Sequence, residues 1–147
     1  MPTAFTIRSL SWPDALPFAR PVREKVFIHE QNVPRELEWD EWDELSDHVV
    51  AFDARGNAIG TARLLPEGRI GRMAVLKEWR GQGVGAALLA AMLERARQRS
   101  MAMVTLHAQT RAAGFYRRFG FSERGGEFFE AEIPHVEMTL ELSSARQ

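Results

Sequence analysis

Arg80-Gly81-Gln82-Gly83-Val84-Gly85-Ala86 lies between a stretch of strand character ending at Val75 and a segment where Val84, Leu88, Leu89, Met92, Leu93 and Ala96 recur at helical spacing. Glycines at such a junction let backbone N–H groups approach a ligand, and the helix start adds unpaired donors and a positive dipole end. That combination favours a phosphate or pyrophosphate. The competing reading is a tight strand-to-helix turn with no ligand. Three glycines at alternate positions, an arginine before them and a basic surrounding weigh against it.

Upstream, residues 4–10 alternate like a strand, and residues 14–30 read as a helix interrupted by Pro17 and Pro21. Residues 32–47, with Pro34, read as a loop or a short irregular helix. Residues 49–53 and 58–65 read as strands joined by Arg55-Gly56-Asn57, and residues 70–75 as a strand after the turn Pro66-Glu67-Gly68. Beyond the helix over 83–99, residues 101–108 form a buried strand, and Thr110 caps a short helix that ends at Gly120. Val136, Met138, Leu140 and Leu142 alternate with Glu137, Thr139 and Glu141 in a final strand. The order β, α, β, β, β, α, β, α, β, β predicts an α+β (mixed α/β) domain over 1–147, with a central, mostly antiparallel twisted sheet flanked by helices.

Composition narrows the classes further. The chain has 147 residues, 45% hydrophobic, with 20 acidic and 19 basic side chains and no cysteine. Disulfides, thiolate metal sites and a cysteine nucleophile are therefore excluded, and four scattered histidines offer no metal-ligand spacing. The near-zero net charge speaks against nucleic acid and anionic lipid as partners, and no apolar run approaches the roughly 18 residues of a membrane span. The opening residues carry no basic segment followed by an apolar run. The expectation is a cytoplasmic domain with no membrane partner.

Gly81, Gly83 and Ala86 formally satisfy a dinucleotide-binding G-x-G-x-x-A pattern, but the next strand ends His107-Ala108-Gln109 without the carboxylate that pattern needs. Gly-Lys-Ser/Thr and G-x-S-x-G are both absent, which removes a Walker loop and a serine-hydrolase elbow. Arg80-Gly81-Gln82-Gly83-Val84-Gly85 after Arg72-Met73-Ala74-Val75 instead resembles the acetyl-CoA signature of the GCN5-related N-acetyltransferase (GNAT) superfamily. Ala112 and Phe115-Tyr116-Arg117-Arg118-Phe119-Gly120-Phe121 resemble the helix and turn that line the CoA thiol in that family. Val26-Phe27-Ile28, Glu30-Gln31, Val33-Pro34 and Ile133-Pro134-His135 are similar to its ElaA/YjcF-like branch.

The resemblance implies an acyltransferase that moves acetyl from acetyl-CoA directly to a primary amine of a small molecule or peptide, without a metal. Met73, Ala74 and Val75 would pair with pantetheine, and the Ala74 or Val75 amide would face the acetyl oxygen. The amides of Gln82, Gly83, Val84, Gly85 and Ala86, with Gly81 and Arg80, would take the pyrophosphate. Gln109 stands where many members carry Asn, and Ala112 and Phe115 would flank the thiol. Tyr116, the one tyrosine in the chain, matches the residue that protonates the leaving thiolate; a core aromatic is the competing reading. Glu30, His107 and His135 are candidate general bases, with His135 first. A non-catalytic CoA-binding sensor domain of the same fold is the rival function, and a nucleic-acid module rests only on an excess of eight positive charges over residues 69–124.

Residues 36–47 hold seven acidic side chains and no basic one. If they border the acceptor groove, a cationic amine or a lysine-bearing peptide is expected. A solvated loop, or a homodimer contact through Trp39 and Trp42, is the alternative.

Overall fold

The structure is a computed structural model that describes residues 4–142; the outer ends of the 1–147 span, including residues 1–3 of the opening stretch, lie outside the described residues. Seven strands form one sheet in the order β1-β2-β3-β4-β5-β7-β6. They are β1 (Phe5–Leu10), β2 (Asp47–Asp53), β3 (Ala58–Leu64), β4 (Arg69–Val75), β5 (Met103–Gln109), β6 (Ser122–Glu130) and β7 (Ile133–Glu141). All neighbours are antiparallel except β4 and β5, as the predicted mixed sheet requires.

The parallel join is short. Only Arg69↔Thr105 and Ile70↔Leu106 pair, so β4 leaves β5 after two residues and the sheet opens into a cleft beside Met73, Ala74 and Val75. A bulge on β4 accompanies the divergence: the register with β3 moves from Arg63↔Gly71 to Thr61↔Ala74. Arg72 within it adopts φ 48°, a left-handed conformation that costs a residue with a Cβ roughly 1–2 kcal/mol. Its surroundings hold it there, since its guanidinium reaches the carbonyls of Leu37 and Glu38.

Two helices cover opposite faces of β2–β4. Helix α3 (Val84–Gln98) buries the six apolar residues that its periodicity marks. It lies so close to the sheet that a Cβ on Gly60 would come within 3.0 Å of Leu88 Cδ1. Fully buried leucines such as Leu88 and Leu89 each contribute about 1.5–3 kcal/mol.

The other face carries α1 (Trp12–Arg23), which the prolines do not interrupt. Pro13, Pro17 and Pro21 recur every four residues on its exposed side, whereas Ala15, Ala19 and Val22 are buried. Pro13 sits at the helix start, where no N–H is needed, and the missing N–H groups of Pro17 and Pro21 would have bonded the carbonyls of Pro13 and Pro17 on that exposed side. The chain then widens into a π-helical turn over Glu24–Glu30, closed by Gln31 N–H donating to the Val26 carbonyl at 3.0 Å. Residues 32–47, expected as a loop or a short irregular helix, form the short helix α2 (Arg35–Glu38) and a 3₁₀ turn at Glu41–Asp43. After β5, a 3₁₀ turn at Thr110–Ala112 leads into α4 (Ala113–Arg117).

Candidate active site

The glycine loop takes the shape that its composition suggests. Gly81 and Gly83 have φ of 78° and 89°, and a Cβ on either would meet nothing within 4 Å, so open space lies above them. Gly83 caps α3 with no side-chain bond, and the first helical donor is Ala87 N–H to the Gly83 carbonyl at 3.0 Å. The amides of Val84, Gly85 and Ala86 precede that donor and are the unpaired positive end of a 15-residue helix. A Cβ on Gly85 would make only ordinary contacts, 3.8 Å from Phe115 Cζ and 3.9 Å from Val75 Cγ2. These residues fit a pyrophosphate, and the cleft beside Met73–Val75 offers an extended ligand a strand edge to pair with.

Arg80 and Glu30 are engaged with each other. Arg80 Nη1 and Nη2 donate to the Glu30 carboxylate at 2.6 and 2.8 Å, and Arg80 Nε donates to the Val75 carbonyl at 3.0 Å. The Arg80 bond holds the Glu30 carboxyl below its ordinary range, and Glu30 does not line the cavity described next. A carboxylate locked to a guanidinium is a weaker proton acceptor, which counts against Glu30 as the base.

On the α1 face of the sheet, a cavity of about 340 Å³ spans β3, β4, β5 and β7 under the α1–α2 connection. Tyr116, Ala112, Gln109, His107 and His135 all line it, so the sequence-marked residues of the second half converge. Among the described residues the Tyr116 hydroxyl has no hydrogen-bond partner, and burial pushes its pKa up to about 12. The phenol therefore keeps its proton at neutral pH. Phe115 packs edge-on against it at 5.1 Å. Gln109 donates its amide to Gln31 at 2.8 Å, which ties β5 to the end of the π-helical turn.

His135 is buried, with Nδ1 2.7 Å from the Ile133 carbonyl. A carbonyl only accepts, so Nδ1 carries the hydrogen and the neutral ring keeps its lone pair on Nε2. Nε2 lies 3.8 Å from Glu130 Oε1, while Glu130 Oε2 accepts from His107 Nδ1 at 2.7 Å. One carboxylate thus stands between two imidazoles. It is fixed by a two-residue hairpin in which Glu130 pairs with Ile133 and both Ala131 and Glu132 have positive φ, 50° and 65°. Glycine or asparagine is the usual occupant of such a turn.

The acidic segment is an internal ion network. Arg23 bonds Glu38 and Asp43 at 2.8 Å each, Arg63 bonds Asp40 at 2.7 Å and Asp43 at 2.8 Å, and Arg72 reaches Asp40 at 3.2 Å. Three arginines meet three carboxylates and their formal charges cancel. Asp47 is taken by Arg95 and Arg99. Glu36, Glu41 and Glu44 remain exposed. The expected negative groove for a cationic acceptor is therefore corrected. Trp39 is likewise occupied, with the Arg20 and Arg23 guanidinium groups 4.7 and 4.9 Å from its ring centre.

Arg63, Arg69 and Glu130 line the cavity as well, and none carried a sequence signal beyond its charge. Arg72, from the strand before the glycine motif, lines it from the β4 bulge, Glu130 from the β6–β7 turn, and Arg63 and Arg69 from regular positions on β3 and β4.

A family model described as an acetyltransferase (GNAT) domain matches residues 15–142. The chain belongs to the GNAT superfamily and is an acyltransferase. Within it, the chain falls in the ElaA/YjcF-like branch. It is 39% identical over 123 residues to the uncharacterized N-acetyltransferase YjcF of Bacillus subtilis, covering 80% of this chain and 86% of that protein. Escherichia coli ElaA superposes with a TM-score of 0.85 at 26% identity, over 94% of this chain and 100% of that one. An acyl-CoA N-acyltransferase from Pseudomonas aeruginosa gives 0.82 at 29%, over 92% and 99%. Among the described residues no helix is long and apolar enough to cross a membrane.

Proposed function

We propose that the chain, as one domain over 1–147, transfers an acetyl group from acetyl-CoA directly to a primary amine. The observation that carries this reading is the junction of two features: the glycine-loop amides at the start of α3, and a cavity that holds an unbonded Tyr116 hydroxyl and His135. Bound along β4, acetyl-CoA supplies the activated thioester. The amides of residues 82–86 hold its pyrophosphate, Met73, Ala74 and Val75 align its arm, and Ala112, Phe115 and Gln109 border its thiol end.

The roles divide by protonation state. His135 Nε2 accepts the proton that the amine loses as the C–N bond forms. The Ala74 or Val75 amide stabilises negative charge on the acetyl oxygen. Tyr116 donates its proton to sulfur as the C–S bond breaks, and proton exchange with solvent restores both side chains. The products are an amide and the free thiol.

Release of free thiol from acetyl-CoA across a panel of primary amines tests the reading. Amine-dependent release that His135→Ala lowers by about 10²–10⁴-fold is expected. Thiol release independent of any amine, or amide formation unaffected in both His135→Ala and Tyr116→Phe, overturns it.

A further inference from the structure

The acceptor cavity is electrically two-ended. Among the charged residues that line it, Arg63, Arg72 and Glu38 are committed to the balanced ion network. That leaves Arg69 at one end and Glu130, between its two histidines, at the other. Among the described residues Arg69 meets no carboxylate nearer than Glu67 at 4.0 Å, an exposed contact too long for a hydrogen bond.

Register fixes how the ends face each other. Arg69 pairs with Thr105 on β5, and His107, which holds Glu130, is two residues further along that strand on the same face. One strand spacing and two residue rises separate their backbones by on the order of 8 Å. Between them the floor is Gly71, where a Cβ would meet nothing within 4 Å. Beside Gly71, its register partner Arg63 keeps an enclosed Nε–H with no hydrogen-bond partner among the described residues. Leu65, Ile70 and Phe27 supply apolar walls.

We propose that the acceptor is a primary amine that also carries a carboxylate, of amino-acid size, held with its carboxylate at Arg69 and its amine at Glu130 and His135. This rests on the acetyl-transfer reading above. Guanidinium and carboxylate match as a two-pronged pair, so analogues that lack the carboxylate forfeit both charge-assisted bonds. The amine end needs a carboxylate to attract the ammonium form and an adjacent lone pair to take its proton, and Glu130 with His135 Nε2 provides both. The glycine floor leaves room for the ligand between the two ends, and the apolar walls suit an aliphatic or aromatic side chain.

The test measures binding and turnover separately. Leucine, methionine and phenylalanine are titrated by calorimetry into the full-length protein saturated with CoA, alongside their amides and the decarboxylated amines. The free acids are expected to bind at least tenfold more tightly than either analogue. Arg69→Gln should erase that preference while the affinity for CoA stays as in the parent protein. Equal binding of acid and decarboxylated amine, no binding of any acid, or a preference that survives in Arg69→Gln overturns the proposal. Acids that bind with the expected preference but are not acetylated leave the anchor standing and refute acetyl transfer instead.

Discussion

Arg80 and Glu30 form a two-pronged ion pair that bridges the end of the π-helical turn and the glycine loop, and the same arginine caps the Val75 carbonyl on the strand edge. In this arrangement the cation expected at a pyrophosphate is already matched. Glu30→Gln releases it. The pair is partly exposed and worth about 0.2–1 kcal/mol, so CoA should bind tighter by up to about fivefold, more so at low salt. Calorimetry at two salt concentrations checks this, and weaker binding in the variant would show that the pair organises the loop rather than masking it.

Tyr116→Phe removes a proton donor and almost no volume. CoA affinity should be retained and the chemical step slowed by roughly 10²–10⁴-fold. Because burial holds the phenol pKa near 12, the tyrosine's contribution should not titrate between pH 6 and 10. Single-turnover rates across that range decide it; an unchanged rate assigns the ring to packing against Phe115 and Phe121.

The two inner glycines of the loop should respond differently to alanine. Gly83 sits at φ 89°, so Gly83→Ala strains the cap by about 1–3 kcal/mol and disturbs the α3 amides. Gly85 has ordinary backbone angles and room for a methyl at 3.8 Å from Phe115, so Gly85→Ala should fold with near-parental stability. Chemical denaturation measures the first difference, and CoA titration of both folded variants measures its effect on binding.

Asp43→Ala should be severe. It strips a shared partner from Arg23 and Arg63, both buried, and stranding buried charge costs about 3–5 kcal/mol. Replacing Glu36, Glu41 and Glu44 together with glutamine changes three exposed charges in the same segment and should shift the urea midpoint little. Comparable losses in the two variants would contradict the ion-network assignment.

His48 supplies a pH dependence. Burial pushes its pKa below 6.5, against the Asp43 carbonyl that its Nε2–H bonds at 2.8 Å and the Asp43 carboxylate; Arg23 and Arg63 nearby also favour the neutral ring. The unfolded chain therefore takes up the proton first. Stability is complete above pH 6.5 and declines as pH falls from there toward the depressed folded value. Asp40 and Asp47, held below 3.8, begin to matter only in stronger acid. Melting temperature followed from pH 7.5 to 5 should fall, and His48→Gln should flatten that slope.

What the sequence made legible follows the range of the interactions involved. Helix α3 and the glycine loop are local patterns, and the structure builds them within a residue or two of where periodicity puts them; Thr110, expected as a cap, instead opens a 3₁₀ turn and bonds Glu127, and α4 runs only over Ala113–Arg117, short of Gly120. Pro17 and Pro21 signalled a break that does not occur, because their four-residue spacing turns every lost bond toward water. The acidic run read as the border of a groove for a cationic acceptor, or else as a solvated loop or a dimer contact. Its partners Arg23, Arg63 and Arg72 stand 15 to 34 positions away in the chain, and no local pattern announces such pairs. The left-handed Arg72 and the Ala131-Glu132 turn use residues that rarely adopt those angles, so the two features that aim side chains into the cavity were invisible before folding.

The seven strands divide into two blocks, β1–β4 and β5–β7–β6, joined by two residue pairs, whereas seven pairs hold β5 to β7. Breathing motions of a folded sheet begin where the fewest hydrogen bonds must break. Backbone amides along this seam should therefore exchange their hydrogens for deuterium ahead of those inside either block. A ligand lying along β4 bridges the two blocks and slows that exchange, which makes the seam a direct reporter of occupancy even where no turnover can be seen.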